Sequence, residues 1–183
     1  MLESAYFATG CFWGAERRFW QLKGVKETSV GYMGGTRPDP NYEQVCTGLT
    51  GHAEIVKVVF NSSEIEYTAL LQEFWTMHDP TSLNSQGNDI GSQYRSAIFA
   101  TSLEQLNLAK ATRDLYQGEI TRAGYGKIVT EIALADGKTY WPAEEYHQKY
   151  LMKNPNGYDC HSSTGVPFPT LDSNEGSPIE SVK

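Results

Sequence analysis

Apolar residues recur along the chain with two periods, one typical of strands and one typical of helices. Short runs rich in β-branched and aromatic residues predict about five strands, and apolar residues at helical spacing between them predict three or four helices. The predicted strands cover residues 4–9, 25–32, 53–60, 93–100 and 127–134. The predicted helices cover residues 15–22, 64–79, 102–122 and 143–151.

Local signals support the starts of three of these helices. The segments S-E-I-E at 63–66 and T-S-L-E at 101–104 have the S/T-x-x-E form of a capping box, which predicts a helix start. Pro142 suits the first turn of the last helix.

The order of elements predicts an α+β fold, an α/β sandwich in which a mixed sheet with flanking helices surrounds a split βαβ (ferredoxin-like) core. Two irregular stretches, 33–52 and 81–92, interrupt the pattern; stretches of this length in a compact domain are usually functional or disordered. From residue 154 onward the chain is rich in Asn, Gly, Ser and Pro, so we expect an irregular, mobile tail over 154–183.

The formal net charge is −7, and no dense block of Lys and Arg occurs. We therefore expect neither nucleic acid nor an anionic membrane as a partner. No run approaches the roughly 18 consecutive apolar residues of a membrane span. The first residues also lack the basic and apolar regions of a signal peptide. Together with the cysteine usage, these features predict a cytoplasmic protein, and we expect a monomer.

The chain contains three cysteines, Cys11, Cys46 and Cys160. Their odd number and wide spacing are untypical of a secreted disulfide framework, and no Cys-x-x-Cys motif indicates a zinc knuckle or a redox pair. The histidines also lack a metal-binding spacing, so we expect no metal site. Cys46 lies in a glycine-flanked loop without a basic neighbour and is expected to be structural.

Cys11 lies between Gly10 and Gly14, where a predicted strand leads into a predicted helix. The positive end of the helix dipole favours a thiolate at such a turn, which makes Cys11 a candidate nucleophile. The alternative is a buried cysteine that acts as a small hydrophobic side chain.

Four further residues are candidates for the same site, each with an ordinary alternative. Glu54 is the first acidic residue of an apolar strand; burial there would raise its pKa and make it a proton donor, whereas most glutamates are exposed. Tyr94 is either a phenolic donor or a plain strand aromatic. His147 either hydrogen-bonds a loop or faces solvent. Cys160 in the tail either forms a disulfide with Cys11, if the Cα atoms approach within about 7 Å, or is an incidental surface cysteine.

These segments together resemble the peptide methionine sulfoxide reductase A family. The likeness covers roughly residues 4–160 in the order of the family, and several segments in register are far more specific than any one of them. The matching segments are G-C-F-W-G at 10–14, G-Y-M-G-G at 31–35, Y-E-Q-V-C-T-G at 42–48, T-G-H-A-E at 50–54, H-D-P-T at 78–81, D-I-G-S-Q-Y-R-S at 89–96, W-P-A-E at 141–144 and H-Q-K-Y-L at 147–151.

The resemblance implies an enzyme that reduces methionine S-sulfoxide, free or in proteins, and so repairs proteins after oxidation. It implies that the Cys11 thiolate attacks the sulfoxide sulfur and becomes a sulfenic acid. Glu54 would act as the neutral proton donor to the departing oxygen, a type of help worth about 10²–10⁴-fold. The hydroxyls of Tyr42 and Tyr94 would hold that oxygen.

The resemblance also assigns the substrate contacts. Phe12 and Trp13 would form an apolar pocket for the S-methyl group. Asp89, together with His147, would position the substrate main chain. Residues 1–153 would then be the catalytic domain, and residues 154–183 an irregular tail of the same single domain that carries a resolving cysteine.

That resolving cysteine is Cys160, which would condense with the Cys11 sulfenic acid to a disulfide. Thioredoxin or another dithiol would reduce the disulfide, and no further cofactor is implied. Many family members carry two C-terminal cysteines, whereas this chain has Cys160 alone and reads Gly-Tyr-Asp-Cys, with one residue inserted next to it.

Three other functions remain open at this point. One is a cysteine hydrolase or acyltransferase in which Cys11 pairs with His52 or His147; it predicts an acyl-enzyme and no need for a reductant. The others are a redox-sensing module and a methionine-binding module that use the same pocket. Steady turnover of a methyl sulfoxide with dithiothreitol would exclude both modules.

Overall fold

The structure is a computed structural model that describes residues 1–159 and 162–170. This part of the chain forms eight strands and five α-helices. The strands are β1 (Leu2–Thr9), β2 (Val25–Met33), β3 (Ala53–Asn61), β4 (Ser85–Gln86), β5 (Asp89–Ile90), β6 (Ser96–Ala100), β7 (Glu131–Leu134) and β8 (Trp141–Pro142). The helices are α1 (Phe12–Trp20), α2 (Tyr42–Cys46), α3 (Tyr67–Met77), α4 (Leu103–Arg122) and α5 (Tyr150–Lys153).

Six of these strands form one mixed sheet in the order β7-β6-β1-β3-β2-β8. Strand β3 pairs antiparallel with both β1 and β2, so β1 and β2 run parallel to each other on either side of it. Strand β6 is antiparallel to β1, and β7 is parallel to β6. The order β6-β1-β3-β2, with α1 and α3 as the connecting helices, is the predicted split βαβ core. The α+β prediction is therefore confirmed.

The two faces of the sheet bury different sets of side chains. Because side chains alternate along a strand, Phe7 and Val56 face a large core that α1, α3 and α4 also line. Ala8 and Ile55 face a smaller core on the opposite side of the sheet. By the same alternation Glu54 lies on the helix face of β3, beside the N-terminal end of α1.

The predicted helix over 143–151 is wrong. Glu145–His147 form a single 3-10 turn, and α5 begins only at Tyr150. Between them, Lys149 adopts the left-handed conformation with φ of 51°. Pro142 lies in β8, which pairs with β2, and not in a first helical turn.

Tertiary contacts explain this departure from helical spacing. The side-chain amide of Gln148 donates to the carbonyl of Val30 at 2.9 Å and accepts from its N–H at 2.9 Å, as a neighbouring strand would. The backbone N–H and ammonium of Lys149 both bond to the buried carboxylate of Glu16 on α1. These bonds tie the segment to β2 and α1, and they outweigh its helix propensity.

Two predicted strands are shorter than expected. Strand β6 begins at Ser96, so the predicted strand 93–100 loses its first residues; Tyr94 belongs to a 3-10 turn over Ser92–Tyr94. Strand β7 begins at Glu131, and residues 127–130 form no strand.

The two predicted capping boxes are also wrong. Helix α3 has Glu66 at its N-cap, without a side-chain capping bond. Helix α4 is capped one residue later than predicted, where the hydroxyl of Ser102 accepts from the N–H of Gln105 at 3.1 Å. A capping box does occur within 33–52, where Asn41 caps α2.

The described C-terminal residues 162–170 form no helix or strand, as predicted, and they pack against the rest of the fold. The hydroxyl of Tyr116 on α4 donates to the carbonyl of Val166 at 2.7 Å, and its ring stacks on that of Phe168. Both Val166 and Phe168 pack against the large core. No helix in the described part of the chain is long and apolar enough to cross a membrane.

Candidate active site

Cys11 lies at the junction of β1 and α1, at the N-cap position of the helix. Gly10 permits this tight turn because its φ of 102° lies in the left-handed region. The Cys11 residue is 8% exposed, and its side chain makes no capping hydrogen bond. Its sulfur is therefore sheltered from bulk water.

The resting environment of Cys11 favours the thiol, contrary to the prediction. Burial is the main cause that raises the pKa of the Cys11 thiol, and the charge of Glu54 raises it further. The backbone amides of Trp13 and Gly14 act in the opposite direction. The helix terminus does favour a thiolate, but burial outweighs it.

Glu54 is only 2% exposed. Its Oε1 accepts a hydrogen bond at 3.1 Å from the N–H of Phe12, the residue directly after Cys11. Burial raises the pKa of the Glu54 carboxyl to about 8, although the Phe12 N–H acts against this. The carboxyl is therefore mostly protonated at pH 7, the state that a proton donor requires. In this neutral form it no longer opposes a thiolate at Cys11.

Tyr42 and Tyr94 supply two hydroxyl groups to the same region. Tyr42 is the first residue of α2, and Tyr94 ends a 3-10 turn. Burial raises the pKa of both hydroxyls, and the charge of Glu54 raises both further. A negative charge on Cys11 also raises the pKa of Tyr94. Both hydroxyls therefore remain protonated hydrogen-bond donors, and both lie close enough to Glu54 for its charge to act on them.

Aromatic rings form one side of the site. The partly buried ring of Trp13 stacks on Tyr150 with centroids 3.7 Å apart, and its N–H donates to Nδ1 of His147 at 3.0 Å. Phe12 is 1% exposed, so its ring can form only the floor of a pocket. His147 is completely buried, and the contact that links it to the wall of the site is its hydrogen bond with Trp13.

Asp89 lies in a short hairpin of β4 and β5 within the stretch 81–92. Its charge raises the pKa of Cys11, Glu54 and Tyr94, so its carboxylate faces the site. Its Oδ1 accepts a hydrogen bond from the hydroxyl of Tyr158 at 3.3 Å. The hairpin therefore brings Asp89 to the site, and the hydroxyl of Tyr158, from the C-terminal segment, contacts Asp89 there.

Cys46 is exposed, and its assignment as a structural cysteine stays a prediction. Its sulfur hydrogen-bonds the hydroxyl of Tyr42 at the edge of the site.

Cys160 lies outside the described residues. The last described residue before it, Asp159, forms an ion pair with Arg17 on α1.

Glu144 has a structural role in the site that sequence reasoning missed. Its Oε2 accepts from the N–H of Tyr42 at 3.1 Å, and its Oε1 accepts from the hydroxyl of Tyr32 at 3.0 Å. Glu144 thus fixes the start of α2 and with it the Tyr42 side chain. Glu144 lies within W-P-A-E at 141–144, one of the segments that resemble the family. Its partners are 102 and 112 residues away in the chain, so no local pattern indicates these contacts.

The arrangement combines one sulfur nucleophile, one neutral carboxylic acid, two phenolic donors and an aromatic wall. It can deliver a thiol to an electrophilic atom while donating protons to an oxygen bound next to that atom. Among the described residues, no group of three or more His, Cys, Asp or Glu side chains is placed to hold a metal ion.

Replacing Gly10 by alanine is expected to lower the free energy of unfolding by about 2–4 kcal/mol. The left-handed φ of 102° strains any residue with a Cβ, and the new Cβ would lie 2.8 Å from Cγ of Gln86. Gly126→Ala is the matched control because a Cβ there meets no atom within 4 Å. Urea unfolding of the two variants measures the difference, and equal stabilities would contradict the strained turn.

A model of the family described as "Peptide methionine sulfoxide reductase" matches residues 3–172 of this chain. "Peptide methionine sulfoxide reductase MsrA" of Pseudomonas entomophila (strain L48) is 56% identical over 168 residues, which cover 92% of this chain and 75% of that protein. The same name is given to a protein of Methylococcus capsulatus that is 56% identical over 165 residues, covering 90% of this chain and 73% of the relative.

Solved structures agree with these relatives. "Methionine sulfoxide reductase A of Corynebacterium diphtheriae" has a TM-score of 0.83 and 44% identity, over 92% of this chain and 84% of that chain. Reduced Mxr1 from Saccharomyces cerevisiae has a TM-score of 0.82 and 35% identity, over 91% of this chain and 92% of that chain. The family model and the relatives each extend over most of the chain, and the chain therefore belongs to the peptide methionine sulfoxide reductase A family.

Proposed function

We propose that this chain reduces the S epimer of methionine sulfoxide, free or in proteins, to methionine, and so repairs oxidised proteins. The observation that carries the proposal is the buried, mostly protonated carboxyl of Glu54 next to Cys11, bonded to the N–H of Phe12 at 3.1 Å. A sulfoxide oxygen leaves only after gaining protons, and Glu54 is an acid that retains its proton at neutral pH.

In the first step the Cys11 sulfur bonds to the sulfoxide sulfur. Glu54 transfers its proton to the oxygen while Tyr42 and Tyr94 donate hydrogen bonds to it. The oxygen then passes to Cys11, methionine leaves, and Cys11 becomes a sulfenic acid. The thiol proton of Cys11 restores the carboxyl of Glu54, so no proton is gained or lost overall.

The S-methyl group is proposed to lie against Trp13, above the buried ring of Phe12. Asp89 is proposed to accept a hydrogen bond from the substrate main chain. His147 acts through Trp13: its Nδ1 accepts the indole N–H at 3.0 Å and sets the orientation of the ring. We therefore propose His147 as a positioning residue and not as a substrate contact.

The second step is proposed to join Cys160 to Cys11, with release of water from the sulfenic acid. Thioredoxin is the proposed reductant of the resulting disulfide. In support, the related protein Mxr1 is known in a complex with Trx2; that structure has 21% identity and a TM-score of 0.57 to this chain and by itself shows only the shared fold.

Replacing Cys160 by serine is expected to preserve one stoichiometric turnover but to stop thioredoxin-driven cycling, because no thiol then resolves the sulfenic acid. Methionine released per enzyme, without and with thioredoxin, thioredoxin reductase and NADPH, measures both effects. Cys46→Ser is the matched control and should cycle normally. Normal cycling of Cys160→Ser would mean that Cys46 or an external thiol resolves Cys11.

Among the described residues, neither histidine of the hydrolase alternative, His52 or His147, forms a hydrogen bond with Cys11. The Nδ1 of His52 accepts from the N–H of Gly35 at 2.9 Å, and its Nε2 bonds the carbonyl of Arg37 at 2.7 Å. The Nδ1 of His147 accepts a hydrogen bond from the indole N–H of Trp13.

Steady reduction of an S-sulfoxide peptide with dithiothreitol, without turnover of the R epimer, tests the proposed function directly. The cytoplasmic location and the monomeric state stay predictions.

A further inference from the structure

A buried carboxylate on α1 holds the segment that lies against the aromatic side of the site. Glu16 is only 1% exposed. Its Oε1 accepts from the backbone N–H of Lys149 at 2.8 Å. Its Oε2 accepts from the Lys149 ammonium at 3.0 Å and from the hydroxyl of Thr28 at 2.9 Å. Each carboxylate oxygen therefore has a partner, and Glu16 has no part in the proposed chemical steps.

Lys149 is held in a backbone conformation that a lysine rarely adopts. Its φ of 51° and ψ of 37° lie in the left-handed region, where the Cβ comes too close to the following carbonyl oxygen. Such a conformation persists only where the surrounding contacts determine it. Gln148 ties the preceding residue to Val30. The bonds to Glu16 act on Lys149 itself, because they hold both its backbone and its side chain.

Two residues close to Lys149 in the chain contact the ring of Trp13. Tyr150 stacks on this ring with centroids 3.7 Å apart, and Nδ1 of His147 accepts its indole N–H at 3.0 Å. Glu16 lies three positions after Trp13 on α1, and residues at this spacing lie on the same side of a helix. One helix therefore carries both the Trp13 ring and the carboxylate that holds the neighbours of that ring.

We infer that Glu16 and Lys149 are positioning residues for substrate binding. Their buried ion pair fixes the left-handed turn at Lys149, which holds Tyr150 and His147 against Trp13 and so sets the surface for the S-methyl group. This inference rests on the proposed function.

Loosening the turn at Lys149 should leave the acid in place, because Glu54 lies in β3 and bonds to the N–H of Phe12. A bound substrate selects the protein molecules in which the Trp13 ring is correctly placed. The affinity for the substrate therefore falls with the fraction of such molecules, whereas the rate at saturation does not.

Single-turnover reduction of an S-sulfoxide peptide over a range of concentrations separates binding from the rate constant. Glu16→Gln puts an amide donor where an oxygen accepts from Lys149 and Thr28. It is expected to weaken peptide binding about fivefold to tenfold, with the rate constant at saturation within about twofold of the wild type. Glu64→Gln is the matched control, because Glu64 pairs with Lys26 at the exposed surface, and both constants should stay unchanged.

Two variants at position 149 test the left-handed turn separately from the ion pair. Lys149→Gly and Lys149→Ala both lack the ammonium, but glycine adopts a φ of 51° without strain and alanine does not. Lys149→Ala is therefore expected to bind the peptide about fivefold more weakly than Lys149→Gly, at equal rate constants.

The indole N–H of Trp13 reports its placement without catalysis. Its NMR signal, identified by its loss in Trp13→Phe, should exchange with solvent faster in Glu16→Gln and Lys149→Ala than in the wild type, because its bond to His147 opens more often. Lys149→Gly should exchange more slowly than Lys149→Ala.

Peptide binding by Glu16→Gln equal to that of the wild type would overturn the inference. Equal peptide binding by Lys149→Ala and Lys149→Gly would also overturn it, and this comparison decides if Glu16→Gln does not fold. Failure of the wild type to reduce the peptide would instead contradict the proposed function, and the exchange of the Trp13 indole N–H would then still test the placement of the ring.

Discussion

Replacing Cys11 by serine is expected to abolish methionine formation, with a single-turnover rate at least about 10³-fold below that of the wild type. A serine hydroxyl at the same N-cap position is too basic to ionise and is a poor nucleophile toward sulfur. The backbone amides of Trp13 and Gly14, which favour a thiolate, cannot compensate for this difference. Chromatography of a quenched mixture of enzyme and S-sulfoxide peptide measures the methionine formed.

Two comparisons make the Cys11→Ser result specific. Cys46→Ser removes the other cysteine of the described chain, and its methionine yield should stay at one per enzyme or more. The melting temperature of Cys11→Ser should remain near that of the wild type, because the thiol makes no capping hydrogen bond. Residual activity above a few per cent in a folded Cys11→Ser protein would show that Cys11 is not the nucleophile.

The strands that build the core could be predicted because their side-chain pattern is local. Each strand of the split βαβ core buries alternate residues, as in β1 and β3, and this leaves a period of two in the sequence. The segment 143–151 has helical spacing too, yet Gln148 bonds to Val30 and Lys149 to Glu16. Those partners are 118 and 133 residues away, so the sequence pattern contains no sign of them.

The candidate site shows the same division between local and distant causes. The position of Cys11 follows from a strand, a glycine and a helix that are adjacent in the sequence. The pKa of its thiol cannot be predicted in this way, because the burial that raises it depends on the whole fold and outweighs the effect of the helix terminus. The neutral state of Glu54 likewise depends on how deeply its carboxyl is buried. The alternation of residues along a strand predicts which side chains face the core, but not how far each is removed from water.

The raised pKa values of Cys11 and Glu54 have one physical meaning. Two negative charges are unfavourable in this buried region, so the resting pair holds both its protons at neutral pH. Attack by Cys11 releases one proton just where the departing oxygen needs one. Nucleophile and acid are therefore coupled, and a change in either should alter the pH dependence of the step.

Replacing Glu54 by glutamine is expected to slow methionine formation about 10²–10⁴-fold, with little change in the binding of the substrate. Glutamine retains the acceptor for the N–H of Phe12, which Glu54 contacts at 3.1 Å, but its amide is not an acid. Single-turnover rates over a range of peptide concentrations separate the rate constant from the binding constant. An unchanged rate constant would contradict the role of Glu54 as the acid.

The pH dependence of Glu54→Gln provides a second, independent test. With a pKa of about 8, Glu54 in the wild type loses its proton as the pH rises, so the rate should fall about tenfold per pH unit above 8, whereas the glutamine variant should lack this fall.

The free energy of unfolding should also depend on pH through Glu54. Because the pKa of Glu54 is higher in the folded than in the unfolded protein, the folded state retains a proton that the unfolded state releases. Stability therefore falls as the pH rises from about 4.5 to about 8. Glu54→Gln is therefore expected to be more stable than the wild type at pH 9, by about 4 kcal/mol in urea unfolding, and to lose that advantage by pH 5. Equal stabilities at pH 9 would show that Glu54 is charged without cost in the folded protein.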